Sequence, residues 1–467
     1  MEENQNDTPQ LNEEEVRLAK LKKLYQSEDI PFKYSFNKTH NTDWVIKNYN
    51  HLENGQSIDD KIFSCAGRII SKRNHGKAFF ANIQDESGTL QFYTNLNIIG
   101  EDNFNKLLQL DTGDIIGISG FPFKTRRGEL SLNTNSITLL TKALLPLPEK
   151  YHGLQNKELR YRHRYIDLIS NPETKLTFKT RSKIISLIRN YLETDDFMEV
   201  ETPVLHNIYG GAAAKPFETF HNELEQNLYL RIALELHLKR IIVGGFEKIY
   251  EIGRVFRNEG VSYKHNPEYT LLELYQAYTD YNDMMNLTEN LLSYLVEKTF
   301  NSKQISYKDK TIDFSTPFKR IKLTEILKEK LDVDCFNIES LRSKAKELKL
   351  DIEDDATKGH IIMKLYDECI EHTLIQPTFI IDHPWETSPL AKKHRENSNL
   401  VERFELIING MEIANAFSEL NDPIDQLERF KDQLKAKEKG DEEAHVMDED
   451  FIKALKHGMP PTGGLGI

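Results

Sequence analysis

Short runs of alternating hydrophobic and polar positions fill residues 61–145, and Gly, Asn and Asp separate the runs. The runs are rich in β-branched and aromatic residues, which favour strands. They read IFSCAGRIIS, KAFFANIQD, TLQFYTN, DIIGISGFPF and ELSLNTNSITLL. Five short strands separated by turn residues are typical of a small barrel of the OB type. We therefore predict an OB-fold domain over 61–145.

The remaining patterns divide the chain into further segments. Residues 11–27 place apolar side chains on one helical stripe, so a helical extension is expected over 1–60. The two prolines of LLPLPEK predict a linker at 146–150, and strand and helix patterns then mix over 151–467. The patterns in this last segment predict an amphipathic helix at 181–194, strands at 197–203, 247–257, 269–277 and 401–421, a helical insertion at about 320–375, and a charged helical stretch at 425–457.

Composition narrows the class of protein. The chain is 39% hydrophobic, and it contains no apolar run of the roughly 18 residues that a membrane helix needs. The acidic N-terminal residues lack the apolar region of a secretory signal, and three well-separated cysteines provide no disulfide framework. These features predict a soluble, reduced, cytoplasmic protein that has no membrane partner.

The charge of the chain is unevenly distributed. The net charge is −13, but residues 61–145 hold 10 Lys and Arg against 7 Asp and Glu. A locally basic module can contact nucleic acid within an acidic protein.

A polar loop between two predicted strands is the strongest local signal, in RVFRNEGVSYKHNPEYTLLELY at 254–275. Alternation places two aromatic residues and a carboxylate, Tyr269, Tyr275 and Glu273, on one face of the second strand. A buried carboxylate requires a partner. The loop adds groups that can hold a nucleotide or a phosphate, namely Arg257, Glu259, His265 and Asn266. An ion-paired hairpin is the alternative interpretation.

The segment RFELIINGMEIANAFSE at 403–419 predicts a hairpin that turns at Asn409–Gly410. A two-residue turn places Glu405 and Glu412 diagonally on one face, where a Mg2+ ion would relieve their repulsion. Simple alternation would put three further residues, Asn415, Phe417 and Glu419, on the opposite face. A bulge near Ala414 would instead re-aim them, and the sequence alone leaves both possibilities open.

Several of these segments resemble class II aminoacyl-tRNA synthetases. FRNEG…HNPEYT resembles motif 2, FMEVETP the end of motif 1, and GMPPTGGLGI the opening of motif 3. A barrel ahead of the catalytic unit is similar to the subgroup for lysine, aspartate and asparagine. Four further segments, RIALELHLKR, HNPEYTLLELYQAY, SPLAKKH and NAFSELNDP, resemble bacterial lysyl-tRNA synthetases. The resemblance extends from about residue 15 to the C-terminus.

The resemblance implies an α+β protein, in which an OB-fold barrel precedes an antiparallel sheet flanked by helices, over 151–467. It implies that lysine is activated with ATP and transferred to tRNA(Lys), with Mg2+ as cofactor. Arg257 would be the catalytic residue. The residues implied for ATP are Arg257, Glu259, His265, Asn266 and Tyr269. Those implied for lysine are Glu235, Glu273, Tyr275, Asn415 and Glu419, and those for Mg2+ are Glu405 and Glu412.

The resemblance also implies contacts with macromolecules. Motif 1 would form a homodimer through the helix around 181–193 and the strand at 197–203. In the barrel, four residues match positions that the family uses on the anticodon, namely Arg68, Phe80, Gln91 and Glu129. An aromatic ring can stack on a base, while Gln and Glu read its edge.

Two alternatives depend on particular residues. The implied lysine pocket offers only acidic and neutral polar groups, which suits the binding of an ammonium. An aspartyl- or asparaginyl-tRNA synthetase is the first alternative, and an aspartate-specific pocket would need an Arg or Lys. The family's motif 3 continues beyond Gly466–Ile467 into an Arg, a core strand and a helix. We therefore expect the sheet to lack that strand, and a non-catalytic tRNA-binding remnant is the second alternative.

Overall fold

The computed structural model describes residues 12–27, 30–148, 154–262, 265–438 and 446–467. The chain divides into two compact units, residues 1–177 and 178–467. The first contains a closed barrel and the second a large sheet with helices, so the predicted α+β class is confirmed. The domain boundaries proposed from the sequence stay predictions, and residues 149–150 of the proposed linker lie outside the described residues.

The barrel of the first unit has the strand order β1-β2-β3-β5-β4. Its strands are β1 Phe63–His75, β2 Ala78–Gln84, β3 Thr89–Asn95, β4 Ile115–Lys124 and β5 Leu130–Thr141. Alternate side chains of β2 and β3 are buried, as the sequence alternation predicts, and the others face outward. The helices are α1 Glu13–Tyr25, α2 Thr42–Tyr49, α3 Leu96–Ile99, α4 Glu101–Leu108, α5 Lys157–Arg162 and α6 Arg164–Ser170.

Helix α1 is held by one buried arginine. Arg17 is 3% exposed and donates hydrogen bonds to the carbonyl oxygens of Thr112, Ala143 and Leu145. Since the guanidinium offers several donors in one plane, it can satisfy several carbonyl groups at once. This contact fixes the predicted N-terminal helix beside the barrel.

Helix α7, Pro172–Thr194, contains the predicted amphipathic helix and leads into the second unit. The strands that follow are β6 Met198–Glu199, β7 Leu205–His206, β8 Glu218–His221, β9 Gln226–Leu230, β10 Lys248–Phe256, β11 Glu268–Ala277, β12 Gln304–Tyr307, β13 Lys310–Asp313, β14 Lys319–Lys322, β15 Thr378–Pro384, β16 Leu400–Ile407, β17 Glu412–Ser418 and β18 Thr462–Gly466. The helices are α8 Glu235–Val243, α9 Tyr281–Phe300, α10 Leu323–Leu331, α11 Ile338–Glu347, α12 Lys358–Cys369, α13 Pro423–Glu438 and α14 Glu449–Lys456.

The main sheet has the order β14-β15-β16-β17-β18-β11-β10-β6. Its central pairs are antiparallel, while β14–β15 and β10–β6 are parallel. Strand β6 is shorter than the strand predicted at 197–203. The Val200 N–H donates to the Tyr250 carbonyl, and the chain then leaves the sheet before Pro203. None of the helices in the described ranges is long and apolar enough to cross a membrane.

The segment that resembles the opening of motif 3 forms a strand of its own, β18, at the centre of the sheet. β18 pairs with β11 on one side and with β17 on the other. Leu465 of this strand is 2% exposed and packs with Leu274 and Ala416 in the core. The residues read as the opening of motif 3 therefore form the middle of the sheet.

The helices predicted over 320–375 are present as α10, α11 and α12. They surround a core of their own that includes Leu327, Leu341 and Leu365. The charged stretch at 425–457 forms α13 and α14, and residues 439–445 between them lie outside the described part.

Candidate functional site

One row of paired residues crosses the sheet of the second unit. Glu273 on β11 pairs with Gly466 on β18, Gly466 pairs with Asn415 on β17, and Asn415 pairs with Glu405 on β16. Adjacent strands lie about 4.8 Å apart, and paired residues point to the same face. Because Gly466 has no side chain, no side chain of this row covers the sheet surface between Glu273 and Asn415. We call this uncovered surface the open floor.

A bulge in the hairpin creates this row. Leu406 pairs with Ala414 and Ile407 pairs with Glu412, so Ile413 is the extra residue. The two-residue turn at Asn409–Gly410 has φ values of 53° and 68°, as this hairpin type requires. The bulge therefore re-aims Asn415 to the face of Glu405, which resolves the question that the sequence left open.

A second row runs beside the first. Tyr275 pairs with Gly464, Gly464 pairs with Phe417, and Phe417 pairs with Arg403. A Cβ at Gly464 would lie 1.9 Å from Oε1 of Glu419. Glu419 thus occupies the space that the missing side chain leaves.

The carboxylate of Glu273 is buried and fixed. Its Oε1 accepts the Leu234 N–H at 2.9 Å, and its Oε2 accepts the Tyr275 hydroxyl at 3.0 Å. Burial, followed by the charge of Glu235, raises the pKa of Glu273 to about 7. A buried carboxylate with this pKa is ready to ionise when a cation arrives.

The expectation that the pocket holds only acidic and neutral groups is wrong. Lys239 on α8 is fully buried, and its ammonium forms ion pairs with Glu235 and Glu419. The rings of Phe417 and Phe451 lie 5.4 and 6.0 Å from this ammonium. The i,i+4 spacing on the helix could have predicted the ion pair between Glu235 and Lys239. No local feature of the sequence predicts the ion pair with Glu419.

Glu419 retains an unused acceptor. Its side chain is 1% exposed, and its Oε1 has no hydrogen-bond donor among the described residues. Burial raises the pKa of this carboxyl well above its usual value, although Lys239 opposes the shift. A buried acceptor without a donor is costly unless a ligand satisfies it.

Of the two carboxylates expected to bind a metal, Glu405 ends the first row, and Glu412 pairs with Ile407, two residues further along β16. Arg403 donates to Glu405 at 2.7 Å and to Oδ1 of Asn415 at 3.1 Å. Burial and then the charge of Glu405 raise the pKa of Glu412 to about 7, although the Glu412 side chain still reaches solvent from its cleft.

This pair fits Mg2+, which commonly takes one or two protein carboxylates and completes its shell with phosphate and water. Within the described ranges, no group of three or more His, Cys, Asp or Glu residues forms a fuller metal cage.

Four of the residues expected to bind ATP lie on the loop between β10 and β11, and the fifth, Tyr269, lies at the start of β11. Arg257 donates from Nε to the Ile232 carbonyl at 3.3 Å, and its guanidinium lies 5.5 Å from the ring of Tyr269. Burial raises the pKa of Tyr269. The other three residues, Glu259, His265 and Asn266, are exposed, and residues 263–264 of this loop lie outside the described part. The structure therefore brings Arg257 and Tyr269 together and leaves the other three on the loop surface.

An aromatic strip lies on the outer face of the barrel in the first unit. Phe80 pairs with Tyr93 across β2 and β3, and their rings are 4.8 Å apart. The Phe123 ring lies 5.7 Å from that of Tyr93. Tyr93 and Phe123 were not among the residues predicted from the sequence, although alternation along β3 places Tyr93 on the same face as Gln91.

The other barrel residues lie around this strip. Gln91 accepts a hydrogen bond from the Ser131 hydroxyl at 2.8 Å, and Glu129 is exposed immediately before β5. Arg68 pairs with Gln84, four residues from Phe80 along β2, which is about 13 Å at the usual strand rise. Its guanidinium donates to the Gly113 carbonyl at 2.8 Å. Phe80 and Gln91 thus form one surface, and Arg68 lies apart from it.

Comparison with known proteins assigns both units. The profile of the family "tRNA synthetases class II (D, K and N)" matches residues 156–467, and that of the "OB-fold nucleic acid binding domain" matches 63–140. The lysine–tRNA ligase of Bacillus subtilis is 51% identical over all of this chain and 95% of its own length. That of Carboxydothermus hydrogenoformans is 52% identical over 97% of this chain and 92% of its own length.

A third lysine–tRNA ligase, from Fervidobacterium nodosum, is 51% identical over 97% of this chain and 89% of its own length. The chain belongs to the lysine–tRNA ligase family of the class II tRNA synthetases.

Proposed function

We propose that the second unit activates L-lysine with ATP at the two rows of residues on the sheet. In the first step, a lysine carboxylate oxygen forms a bond to the α-phosphorus of ATP, and the bond to pyrophosphate breaks. In the second step, a terminal ribose hydroxyl of tRNA(Lys) attacks the lysyl carbonyl, and AMP leaves. Such reactions are accelerated mainly by positioning and by charge neutralisation.

The open floor above Gly466 is the observation that carries this proposal. Glu273 and Asn415 border it, with Tyr275 and Glu419 beside it. These four residues would enclose the side-chain ammonium of lysine, because a buried ammonium needs opposite charge and acceptors. Glu235, at the first turn of α8, would take the α-ammonium.

The remaining polar groups are assigned to ATP. Arg257 would contact the lysine carboxylate and the α-phosphate, and the ring of Tyr269 would stack on adenine. Three loop residues, Glu259, His265 and Asn266, would hold the rest of the nucleotide. Glu405 and Glu412 would hold Mg2+, which supplies positive charge to the phosphates when it is bound.

In the first unit, we propose that the barrel binds the anticodon. Phe80 would stack on a base, with Tyr93 and Phe123 extending the strip, while Gln91 and Glu129 would read base edges. Arg68, which lies farther along the barrel, would contact the adjoining backbone.

We further propose a homodimer formed through the helix around 181–193 and the strand segment 197–203. Arg189 on this helix forms an ion pair with Glu199 at 2.9 Å, and Met198 and Leu205 are 41% and 48% exposed. A cytoplasmic location follows from the proposed use of tRNA. Light scattering of Met198→Glu beside the wild-type protein tests the dimer, and a monomeric variant is expected.

The lysine site is tested by calorimetric titration of L-lysine into Glu273→Gln. We expect the affinity to fall by about a hundredfold, since a buried charge partner is worth several kcal/mol. Glu268→Gln, on the exposed end of the same strand, is the matched control and should bind as the wild type does. Equal lysine affinity in the two variants would contradict the assignment.

A further inference from the structure

Lys239 is an internal cation inside the proposed lysine site. Its side chain has no exposed surface, and it pairs with Glu235 on its own helix and with Glu419 at the end of β17. Burial opposes its charge, but the two carboxylates raise the pKa of Lys239 above its usual value. The ammonium is therefore charged in the absence of any substrate.

The charges around Lys239 do not balance. The pocket holds three buried carboxylates, and the one internal ammonium pairs with two of them, Glu235 and Glu419. The third, Glu273, lies close enough to Glu235 for the two charges to interact. Arg403 is engaged with Glu405, and Arg257 is directed to the Ile232 carbonyl. When all three carboxylates are ionised, the pocket is short of two positive charges. Lysine carries two ammonium groups.

The geometry explains how one internal cation can serve both subsites. Oε2 of Glu419 binds Lys239, which leaves Oε1 over Gly464 without a donor. Glu235 shares the same ammonium from the first turn of α8. Glu419 is thus oriented by Lys239 on one side and keeps an acceptor for a ligand on the other.

We infer that Lys239 is a positioning residue that holds Glu235 and Glu419 in place and offsets one of the three buried carboxylates, which leaves two for the two ammonium groups of lysine. This inference rests on the proposed function, because it assumes that lysine occupies this site. Lys239 acts through Glu235 and Glu419 and makes no contact of its own with the reacting atoms.

The groups that contact Lys239 come from α8, from β17 and the residue after it, and from α14. They are Glu235, Glu419 and the rings of Phe417 and Phe451. Glu273 on β11 acts on Glu419. Arg403 on β16 acts on Glu235 from farther away. If Lys239 is removed, the remaining carboxylates lose their internal cation, so one of them should retain a proton at neutral pH.

The test is a calorimetric titration of L-lysine, without ATP, into the full chain and its variants from about pH 6.5 to about pH 8.5. Lys239→Met should weaken lysine binding by about tenfold at neutral pH, a change equivalent to one pKa unit. The affinity should recover as the pH rises, because Glu419 then ionises without help. Lys239→Arg, which keeps the charge, should retain most of the affinity and the wild-type pH profile.

The double variant Lys239→Met with Glu419→Gln removes both members of the ion pair. No unpaired charge is then left at Glu419, so this variant is a check on misfolding of the single variant. It should lose the additional pH dependence, because the carboxylate that Lys239 supports is gone. Lys364→Met, on the exposed face of α12, is the matched control for replacing a paired lysine.

The outcomes separate the two proposals. Wild-type affinity for lysine in Lys239→Met at every pH would overturn the role of Lys239 and leave the lysine site intact. An equal loss at every pH would also overturn it, because a purely structural role predicts that result. Failure of the wild-type chain to bind lysine would overturn both proposals.

Discussion

Replacing Gly464 by alanine perturbs the pocket at one atom. The new Cβ would lie 1.9 Å from Oε1 of Glu419 and 2.6 Å from Cε1 of Tyr275. Ordinary contact begins at 3.4 Å, so the carboxylate of Glu419 would have to move by about 1.5 Å. Because its other oxygen binds the buried Lys239, this movement would disrupt the ion pair.

The cost of that movement can be estimated from its parts. Overpacking a tight site costs about 1–3 kcal/mol. Disturbing a buried ion pair costs up to about 3–5 kcal/mol, while alanine recovers about 0.5–1 kcal/mol by restricting the unfolded chain. A net loss of about 2–4 kcal/mol should lower the Tm of the unit that contains β18 by about 4–8 °C.

Gly466→Ala is the matched control, on the same strand and the same face. Its Cβ would meet Asn415 O at 3.7 Å and Glu273 Cγ at 3.9 Å, which are ordinary contacts. Scanning calorimetry should therefore show a Tm within about 1 °C of the wild-type value for this variant. Equal Tm values for the two alanine variants would refute the placement of Glu419 over Gly464.

The pKa of Glu273 and the contacts of Glu412 and Phe80 support three further predictions. Lysine affinity, measured by calorimetry, should fall as the pH drops below about 7, because Glu273 has a pKa of about 7 and its protonated form carries no charge for the ammonium; a flat profile would argue against this role. Glu412→Gln should raise the Mg2+ concentration for half-maximal ATP–pyrophosphate exchange by about tenfold, since one of two carboxylate ligands is lost; an unchanged requirement would remove Glu412 from the metal site. Phe80→Ala should weaken tRNA binding by about tenfold or more, as the loss of one stacking contact does, with the tRNA-independent exchange reaction as the internal reference; unchanged tRNA affinity in filter binding would refute the stacking role.

Several elements of both units could be predicted from local patterns. Alternation gave the barrel strands and placed Glu273 with Tyr275 on one face of β11, since the two-residue period is a property of the strand itself. The hairpin turn at Asn409–Gly410 was also predictable, because few residues tolerate positive φ in this turn.

The register across strands could not be predicted in the same way. The bulge at Ile413 decides whether Asn415 shares a face with Glu405, and it depends on how β17 is held by β16 and β18 together. The place of β18 at the centre of the sheet is likewise non-local, since its partners are distant in sequence.

The charge pairing of Lys239 could not be predicted from the sequence either. Its spacing from Glu235 is visible in the sequence, but its contact with Glu419 arises only when α8 packs on the end of β17. A pocket that the sequence describes as purely acidic therefore contains its own counter-ion, and the number of positive charges left for a ligand changes from three to two.

Lysine-dependent ATP–pyrophosphate exchange by the chain tests the central claim most directly. The account predicts exchange with L-lysine that exceeds exchange with L-aspartate by at least about a hundredfold, because an acidic pocket rejects a second carboxylate. It also predicts loss of this exchange in Glu273→Gln but not in Glu268→Gln. Exchange that does not depend on lysine, or that aspartate supports equally well, would contradict the account.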